Sequence, residues 1–209
     1  MANTSIAFFD FDHTLTHKDG FTAFIKQVVP MHRKVLGVLL LWPLILAYYA
    51  GLISGGRLRP LIIFIGLKGM SAKQLTQAGE HFAKHGIPSI LNPKAMAKLQ
   101  WHQQQGHKVV MVSASLSAYM KPFAKSINVE LICSQLSSHN GQLTGKYQHS
   151  DCHSNQKKIR VLLEYPLDIY QDIYAYGDSK EDLAMLSLAS KAYLNFNAVT
   201  SFKEPLWPL

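Results

Sequence analysis

Short, continuous apolar runs recur along the chain, and segments with helical periodicity separate most of them. Runs of this kind are expected for strands that are buried on both faces of a sheet. Because the strands alternate with helices, the pattern predicts an α/β fold with a doubly wound, parallel, Rossmann-like sheet. The predicted core strands are Ser5–Phe9, Lys108–Val112, Glu130–Cys133, Asp172–Tyr176 and Lys191–Phe196.

Three of these strands run directly into residues that can carry chemistry. Asp10 and Asp12 follow the first strand, Ser113 and Ala114 follow the second, and Asp178 follows the fourth. Open α/β sheets build active sites at the carboxyl ends of their strands, so we expect these residues to converge. Two neighbouring carboxylates are costly to bury unless a cation or a shared proton offsets their repulsion. A hard cation with oxygen ligands, such as Mg²⁺, is the natural partner.

Between the first two predicted strands, residues 21–29, 71–86 and 93–105 have helical patterns. The family resemblance described below implies that residues 20–87 are a helical cap, inserted into a core formed by residues 1–19 and 88–209. The chain of 209 residues is long enough for one α/β core plus such a subdomain.

Within the predicted cap, the segment Val35–Gly56 contains no charged residue and is long enough for a membrane-spanning helix. However, the candidate site residues on either side of it must end on the same side of a membrane. The second apolar run, Leu61–Leu67, is too short to cross a bilayer, and Pro43 favours a break or kink. We predict a helical hairpin or an interfacial helix that dips into one leaflet. The alternative is that the segment is buried within the cap or at a dimer interface.

Basic residues flank this segment, with His32-Arg33-Lys34 before it and Arg57 and Arg59 after it. The whole chain carries 21 Lys and Arg against 13 Asp and Glu, a formal net charge of +8. This balance favours anionic partners, such as a phosphorylated substrate or an anionic membrane surface. No recognisable nucleic-acid-binding motif accompanies the charge, so nucleic acid is not expected as a partner. The cysteines, Cys133 and Cys152, have no metal-site spacing and fit a reduced protein.

The pattern Asp-x-Asp-x-Thr at residues 10–14, VSAS at 112–115 and YGDSKED at 176–182 together resemble the motifs of the haloacid-dehalogenase-like phosphohydrolases. The helical insertion resembles that of the subgroup containing phosphoserine phosphatase, subfamily IB. This resemblance implies that Asp10 is a nucleophile that forms an aspartyl phosphate. It also implies that Asp12 protonates the leaving group and then activates water.

The same resemblance implies a Mg²⁺ site and gives its ligands. They would be Asp10, the backbone carbonyl of Asp12, and Asp178, with Asp182 either as a further ligand or as a group that supports the ligands. The metal would anchor a phosphate oxygen and keep Asp10 ionised.

The phosphate-binding groups implied by the resemblance are Ser113, the backbone N–H of Ala114, and a lysine at a helix start. The lysine has two candidates in the predicted helix Gln156–Tyr165. Lys158 is in phase with the apolar residues of that helix. Lys157 has the better spacing from Cys152 but is out of phase with the apolar face. We predict Lys158 as the catalytic, phosphate-binding lysine.

Within the subgroup, the uncharged segment followed by GRLRP at 56–60 resembles the phosphatidylglycerophosphatase C family of bacterial inner membranes. The resemblance implies a lipid phosphate substrate, such as phosphatidylglycerophosphate, on the cytoplasmic side of the inner membrane. Arg57 and Arg59 are candidate substrate contacts, and Asp19 lies where the phosphoserine enzymes place an acidic substrate contact. The alternatives are a soluble, cytoplasmic phosphatase of the phosphoserine phosphatase type and a non-catalytic membrane-associated module.

Overall fold

The computed structural model of the protein describes residues 5–199, so residues 1–4 and 200–209 of the predicted core lie outside the described residues. A six-stranded sheet forms its centre, and two further strands form a separate antiparallel pair. The strands are β1 (Ile6–Phe9), β2 (Lys108–Leu116), β3 (Glu130–Ser134), β4 (Leu136–His139), β5 (Gln142–Tyr147), β6 (Ile173–Gly177), β7 (Lys191–Leu194) and β8 (Asn197–Val199). The helices are α1 (Gly20–Val28), α2 (Met31–Tyr49), α3 (Gly55–Leu67), α4 (Ala72–His81), α5 (Pro93–Gln104), α6 (Ser117–Ser126), α7 (Asn155–Glu164) and α8 (Leu183–Leu186).

The order of strands in the central sheet is β3-β2-β1-β6-β7-β8. All neighbours are parallel except β7 and β8. In the middle, Ile6 of β1 is level with Lys108 of β2 and with Ile173 of β6. The residues that follow these three strands therefore meet at one edge of the sheet. The predicted doubly wound, mostly parallel fold is confirmed.

The last predicted strand is shorter than expected and is followed by a strand that we did not predict. β7 ends at Leu194, and Asn195 and Phe196 have φ angles of 51° and 61°. These two left-handed residues turn the chain back so that β8 pairs antiparallel with β7. Left-handed residues other than glycine are uncommon, and the sequence contained no glycine to mark this turn.

Both faces of the sheet are covered, which explains the continuous apolar runs. Ala7 and Phe9 belong to a hydrophobic cluster on one face, and Ile6 and Phe8 belong to a second cluster on the other face. All four residues are completely buried. Thus alternate residues of β1 point to opposite sides, and neither side is exposed to water.

Helices α1 to α4, which lie between β1 and β2, form a helical insertion that packs directly on the sheet. Phe24, Ile63 and Leu67 of this insertion share one hydrophobic cluster with Phe9 and Met111 of the sheet. The insertion and the sheet therefore depend on a common core on this face. The core and cap boundaries at residues 19 and 87 stay a prediction, since the cluster crosses them.

The β4–β5 hairpin is joined to the insertion by backbone hydrogen bonds. Asn140 and Gly141 make the turn with φ angles of 49° and 75°, and an Asn-Gly pair favours a hairpin turn of this kind. The N–H of Leu143 donates to the Met70 carbonyl, and the N–H of Gly69 donates to the Leu143 carbonyl, both at 2.8 Å. These bonds join β5 to the segment between α3 and α4.

Helices α2 and α3 form an antiparallel hairpin. Arg33, in the first turn of α2, donates to the carbonyls of Gly66 and Lys68 at the end of α3, at 3.1 and 2.7 Å. Helix α2 continues through Pro43, so the break predicted there does not occur. The fixed φ of proline is compatible with a helix, although one backbone hydrogen bond is lost.

Helix α2 is apolar but almost entirely exposed. Leu41 is its one buried residue. Among the described residues, α2 is the helix with the length and composition needed to cross a membrane. By contrast, α3 buries Leu58, Ile63 and Leu67. The hairpin therefore has an inner helix that belongs to the core and an outer helix whose apolar surface is uncovered.

A buried histidine links α5 to the sheet. His102 is completely buried, with Nε2 2.9 Å from the Tyr176 hydroxyl and Nδ1 2.8 Å from Nδ1 of His107. Burial, and then the neighbouring His107 and Lys98, lower the pKa of His102 to about 3. The folded protein therefore favours neutral His102, whereas the unfolded chain binds a proton below a pKa of about 6.5.

We predict that, because of His102, the free energy of unfolding falls by about 2 kcal/mol on going from pH 7 to pH 5. Its folded pKa lies below its unfolded pKa, so in this interval the unfolded state alone takes up the proton. Thermal unfolding followed by circular dichroism should show a smaller pH-dependent loss in His102→Gln than in the wild type. The exposed His139 offers a control, since His139→Gln should keep the full loss. An identical loss in all three proteins would contradict the prediction.

Candidate active site

The carboxyl edge of the sheet brings together the predicted acidic residues. Carboxylate oxygens of Asp10, Asp178 and Asp182 lie within 4.8 Å of one another. Asp10 directly follows β1 and Asp178 directly follows β6, while Asp182 ends a short helical turn, Lys180–Asp182. Asp10 is 5% exposed and Asp182 is 1% exposed, so water shields this cluster poorly.

Lys157, in the first turn of α7, is the cation of this cluster. Its Nζ donates to Oδ1 of Asp10 and, at 2.5 Å, to Oδ1 of Asp182. Lys158 lies elsewhere, with its Nζ 3.5 Å from the hydroxyl of Ser187. The choice of Lys158 over Lys157 is therefore wrong in this structure.

The error arose from the apolar stripe of α7, which does not face the core. Lys157 and Val161, one turn apart, are the buried residues of this helix. Ile159, Leu162 and Leu163 are 45%, 51% and 79% exposed. An apolar stripe usually marks the inner face of a helix. The prediction therefore placed Lys158, which is in phase with the stripe, on the buried face.

The buried charges shift one another in opposite directions. Burial raises the pKa of Asp10 well above its ordinary value, and Asp182 adds to this rise while Lys157 opposes it. Burial alone would lower the pKa of Lys157, but Asp10 and Asp182 raise it on balance. Burial also pushes the pKa of Asp182 upward, but Lys157 and the N–H groups of Ser179 and Asp178 outweigh this, so its pKa is lowered.

The donor set fits a divalent cation that prefers oxygen. Asp10, Asp178 and Asp182 place three carboxyl groups around the single ammonium of Lys157, which leaves an excess of negative charge. Burial and the nearby Asp182 raise the pKa of Asp178 to about 6, as expected where this excess is not neutralised. Both oxygens of Asp182 already accept hydrogen bonds. Asp10, Asp178 and Asp182 are the side chains that could hold Mg²⁺, and the hydrogen bonds to Asp10 and Asp182 fix two of these carboxyl groups in position.

Asp12 lies in a hydrogen-bond network of its own. Its Oδ1 accepts the N–H of Gly20 at 2.6 Å, and its Oδ2 accepts the hydroxyl of Ser115 at 2.5 Å. Tyr119 in turn donates its hydroxyl to Ser115 at 2.6 Å. Burial and then Asp19 raise the pKa of Asp12 to about 6, although the bonds from Ser115 and Gly20 oppose the rise. A pKa near neutrality suits a group that both donates and accepts protons.

The sequence analysis missed Ser115 and Tyr119. Ser115 had a usable signal, because residues two apart on an extended strand point the same way and Ser113 was already a candidate. Tyr119 is four residues beyond Ser115 and carries no local mark that separates it from an ordinary core tyrosine. Its position became clear only when α6 was placed beside β2.

A tight turn after β1 sets the spacing of the two aspartates. His13 has a φ of 60°, in the left-handed region that glycine adopts most easily. The N–H of His13 donates to the Thr16 hydroxyl at 3.2 Å, and the Thr14 hydroxyl donates to Oδ2 of Asp10 at 3.3 Å. These bonds hold the turn and fix the side chain of Asp10.

Ser113 and Ala114 lie within β2, which extends further than predicted, to Leu116. Ser113 is completely buried, and its Oγ accepts the N–H of Ser115 at 3.0 Å. Its hydroxyl donates no hydrogen bond within residues 5–199, so that proton is available to a ligand. The pairing of β2 with β3 shifts register between Ser113 and Leu116, and such bulges redirect backbone groups. Phosphate binding by Ser113 and Ala114 remains a prediction.

The three predicted substrate contacts have different surroundings. Arg59 reaches the site from α3, and its guanidinium lies 3.7 Å from Asp151 and 3.6 Å from Glu181. Arg57 is exposed. Asp19 caps α1 by accepting a backbone N–H, and its charge reaches Asp12. Contact with a substrate remains a prediction for all three.

A parallel α/β core, an inserted set of helices and an aspartate–lysine cluster at the carboxyl edge define a capped hydrolase of the α/β class. Residues 7–187 match the family described as haloacid dehalogenase-like hydrolase. Protein CicA of Caulobacter vibrioides is 33% identical over 186 residues, which cover 88% of this chain and 82% of CicA. The chain therefore belongs to the haloacid dehalogenase-like hydrolase family.

Solved structures share this fold at lower sequence identity. A protein with unknown function from Bordetella pertussis Tohama I has a TM-score of 0.78 at 21% identity, covering 92% of this chain and 90% of that chain. A phospho-aspartyl intermediate analogue of phosphoserine phosphatase has a TM-score of 0.66 at 16% identity, covering 92% and 86%.

We predict that Lys157→Ala lowers kcat/KM for p-nitrophenyl phosphate by at least about a hundredfold, because Asp10 and Asp182 lose the charge between them. The matched control Lys158→Ala should stay within about twofold of the wild type. Steady-state kinetics with Mg²⁺ measure both values, and melting temperatures establish that both variants are folded. If Lys158→Ala lowered kcat/KM more than Lys157→Ala does, Lys158 and not Lys157 would be the catalytic lysine.

Proposed function

We propose that this phosphatase removes phosphate from a lipid phosphomonoester, such as phosphatidylglycerophosphate, with Mg²⁺ and through an aspartyl phosphate on Asp10. The observation that carries the proposal is the meeting of Asp10, Lys157 and Asp178 at the carboxyl edge of the sheet. Phosphate monoesters hydrolyse extremely slowly unaided. Positioning and charge neutralisation must therefore supply most of the acceleration, and this cluster can supply both.

In the first half of the reaction, a carboxylate oxygen of Asp10 attacks phosphorus and the bond to the leaving alcohol oxygen breaks. Asp12, whose pKa of about 6 leaves part of it protonated near neutrality, gives that oxygen its proton. The bonds from Gly20 and Ser115 hold the Asp12 carboxyl in position. Lys157 orients Asp10. When bound, Mg²⁺ supplies Lewis-acid stabilisation of the phosphoryl charge.

In the second half, Asp12 is a carboxylate and takes a proton from water as the water oxygen attacks phosphorus. The bond between phosphorus and Asp10 breaks, which releases phosphate and restores both carboxyl groups. The Ser113 hydroxyl and the Ala114 N–H hold the phosphoryl oxygens in both halves. The fold shared with a phospho-aspartyl intermediate analogue of phosphoserine phosphatase supports this sequence of steps.

The preference for a lipid rests on where the hairpin of α2 and α3 ends. The first turn of α3 lies at the site, because Gly56 packs against His153 and Arg59 pairs with Asp151. The connection from α2 to α3, residues 50–54, immediately precedes this turn. The exposed apolar end of α2 therefore lies close to Arg59 and Asp151. We infer that a membrane that covers α2 would bring a headgroup phosphate to this side of the site.

Helix α2 has the chemistry of a helix that lies in a membrane interface. It has 19 residues, or a length of about 28 Å at 1.5 Å per residue. Its large side chains are uncovered, with Leu39 68% and Trp42 57% exposed. An apolar surface of this extent favours a membrane over water. Arg33 and Lys34 at one end and Arg57 beyond the other can meet anionic headgroups.

The interfacial position is preferred to a full span because both ends of the hairpin attach to the same body. Arg33 ties the start of α2 to the end of α3, and α3 buries its inner face in the core. A membrane that accepts α2 from one side leaves the sheet and the site in water. The proposed location is the cytoplasmic side of an inner membrane, which rests on the family resemblance.

A soluble substrate of the phosphoserine type is the second candidate. The fold shared with phosphoserine phosphatase and the acidic Asp19 close to Asp12 favour it. In that case α2 would be covered by another protein surface rather than by lipid. A non-catalytic membrane module is disfavoured by the complete cluster of Asp10, Asp12, Asp178 and Lys157.

The proposal predicts Mg²⁺-dependent hydrolysis with a preference for lipid. Phosphate release should be measured from phosphatidylglycerophosphate in anionic vesicles, phosphoserine in solution and p-nitrophenyl phosphate. We expect kcat/KM to be at least about tenfold higher for the lipid than for phosphoserine. Asp10→Asn should abolish turnover of every substrate, because the nucleophile is lost. The exposed Asp168→Asn is the matched control.

The substrates separate the candidate functions. A preference for phosphoserine would replace the lipid proposal by the soluble one. Hydrolysis of no substrate would point to the non-catalytic module. Turnover that survives in Asp10→Asn would remove Asp10 as the nucleophile.

We predict that replacing Leu39 and Leu40 by Glu weakens binding to anionic vesicles by at least about tenfold, because charged side chains resist insertion into lipid. The two leucines are 68% and 60% exposed, so the fold should tolerate the change. Co-sedimentation with vesicles measures the binding. The equivalent double change at Leu162 and Leu163 of α7, 51% and 79% exposed, is the control and should bind like the wild type. A wild-type protein that is monomeric without detergent and ignores vesicles would contradict the interfacial proposal.

A further inference from the structure

Arg59 is held at the site by charge rather than by hydrogen bonds. Its Nη1 lies 3.7 Å from Oδ2 of Asp151, and its Nη2 lies 3.6 Å from Oε2 of Glu181. Both distances exceed those of ordinary N–H···O bonds. Nη1 of Arg59 and Oδ2 of Asp151 are buried and make no hydrogen bond within the described part of the chain. The pairing therefore leaves N–H groups of Arg59 free to donate.

Asp151 is itself firmly attached to the core. The hydroxyl of Ser134, the last residue of β3, donates to Oδ1 of Asp151 at 2.7 Å. The Ser134 oxygen in turn accepts the N–H of Cys152 at 2.8 Å. The side chain of Asp151 is 5% exposed. One oxygen of the carboxylate is thus fixed by the sheet, and the other faces Arg59.

The segment around Asp151 contacts α3 at a second point and leads into the catalytic helix. A Cβ at Gly56 would overlap the ring of His153, so the first turn of α3 rests directly on this segment. Helix α7 begins two residues after His153 and carries Lys157 into the cluster. Residues 151–154 therefore set both the position of Arg59 on the cap side and the position of Lys157 on the core side.

We propose that Asp151 is a positioning residue for substrate binding, which holds Arg59 by charge while leaving its Nη1 free for an oxygen on the leaving-group side of the substrate. The inference rests on the proposed function, because Arg59 is given a ligand there. Glu181 contributes less, since its side chain is 26% exposed and water screens its charge. Loss of the Asp151 charge should release Arg59 from its place without disturbing the phosphate-binding groups.

The kinetic test uses Asp151→Asn, which keeps an oxygen for Ser134 and removes the charge. For phosphatidylglycerophosphate or phosphoserine, whichever is turned over, KM should rise about tenfold while kcat stays within about twofold. For phenyl phosphate, whose unsubstituted ring offers Arg59 no hydrogen-bond acceptor, KM should not change. In an Arg59→Gln background, Asp151→Asn should add no further rise, because its effect passes through Arg59. The exposed Asp168→Asn is the control.

Two kinetic results would overturn the proposal. One is a rise of KM for phenyl phosphate equal to that for phosphatidylglycerophosphate or phosphoserine. The other is a full additional effect of Asp151→Asn in the Arg59→Gln protein. Either result would mean that Asp151 does not act through Arg59.

A measurement without substrate keeps this inference separate from the substrate proposal. Amide hydrogen exchange of residues 55–59 should be about tenfold faster in Asp151→Asn than in Asp168→Asn, because the start of α3 loses its ion pair with Asp151. If p-nitrophenyl phosphate is the single substrate hydrolysed, the lipid and phosphoserine proposals both fail and hydrogen exchange decides the positioning role. Equal exchange in the two variants would reject it.

Discussion

A single ammonium group stabilises the acidic edge on which this protein depends. Lys157 lies between Asp10 and Asp182, and without it the sheet would bury carboxylates against one another with no opposing charge. Removing one partner of a buried ion pair typically costs about 3–5 kcal/mol, because the other charge is left unpaired. The topology makes this pairing possible. The ends of β1 and β6 supply the acids, and the first turn of α7 supplies the base.

The same edge gives chemically identical groups different properties. Asp10 and Asp12 are two residues apart, yet Asp10 is bonded by Lys157 and Asp12 by Ser115 and Gly20. Asp182 has a lowered pKa because Lys157 and backbone N–H groups outweigh its burial. Differences of this kind let one carboxyl act as a nucleophile while another exchanges protons. The division of roles proposed here follows from these partners.

The insertion serves the site from two directions. The inner helix α3 packs into the same hydrophobic cluster as the sheet and places Arg59 next to Asp151. The outer helix α2 adds little to the core and leaves its apolar side chains uncovered. Because the connection between the two helices lies close to Arg59, a surface that covers α2 would also lie next to the site. Substrate access and surface binding are therefore linked in the proposed function.

Much of the fold could be predicted because its signals are local. A strand buried on both faces is a continuous apolar run, and the residues after it must lie at its carboxyl end. The positions of β1, β2 and β6 and of Asp10, Asp12 and Asp178 followed from this rule. The strand after β7 could not be predicted in this way. Asn195 and Phe196 adopt left-handed conformations that their residue types do not indicate.

The identity of the buried lysine and the uncovered state of α2 were decided by tertiary structure alone. Periodicity shows that a helix has an apolar side, but not what that side meets. In α7 the apolar side is largely exposed and Lys157 meets two carboxylates, whereas in α2 the one buried apolar residue is Leu41. The sequence determined which residues end the strands, since that order is written along one segment. Which side chains lie opposite them depends on segments more than a hundred residues away, and only the packing of the whole chain brings these together.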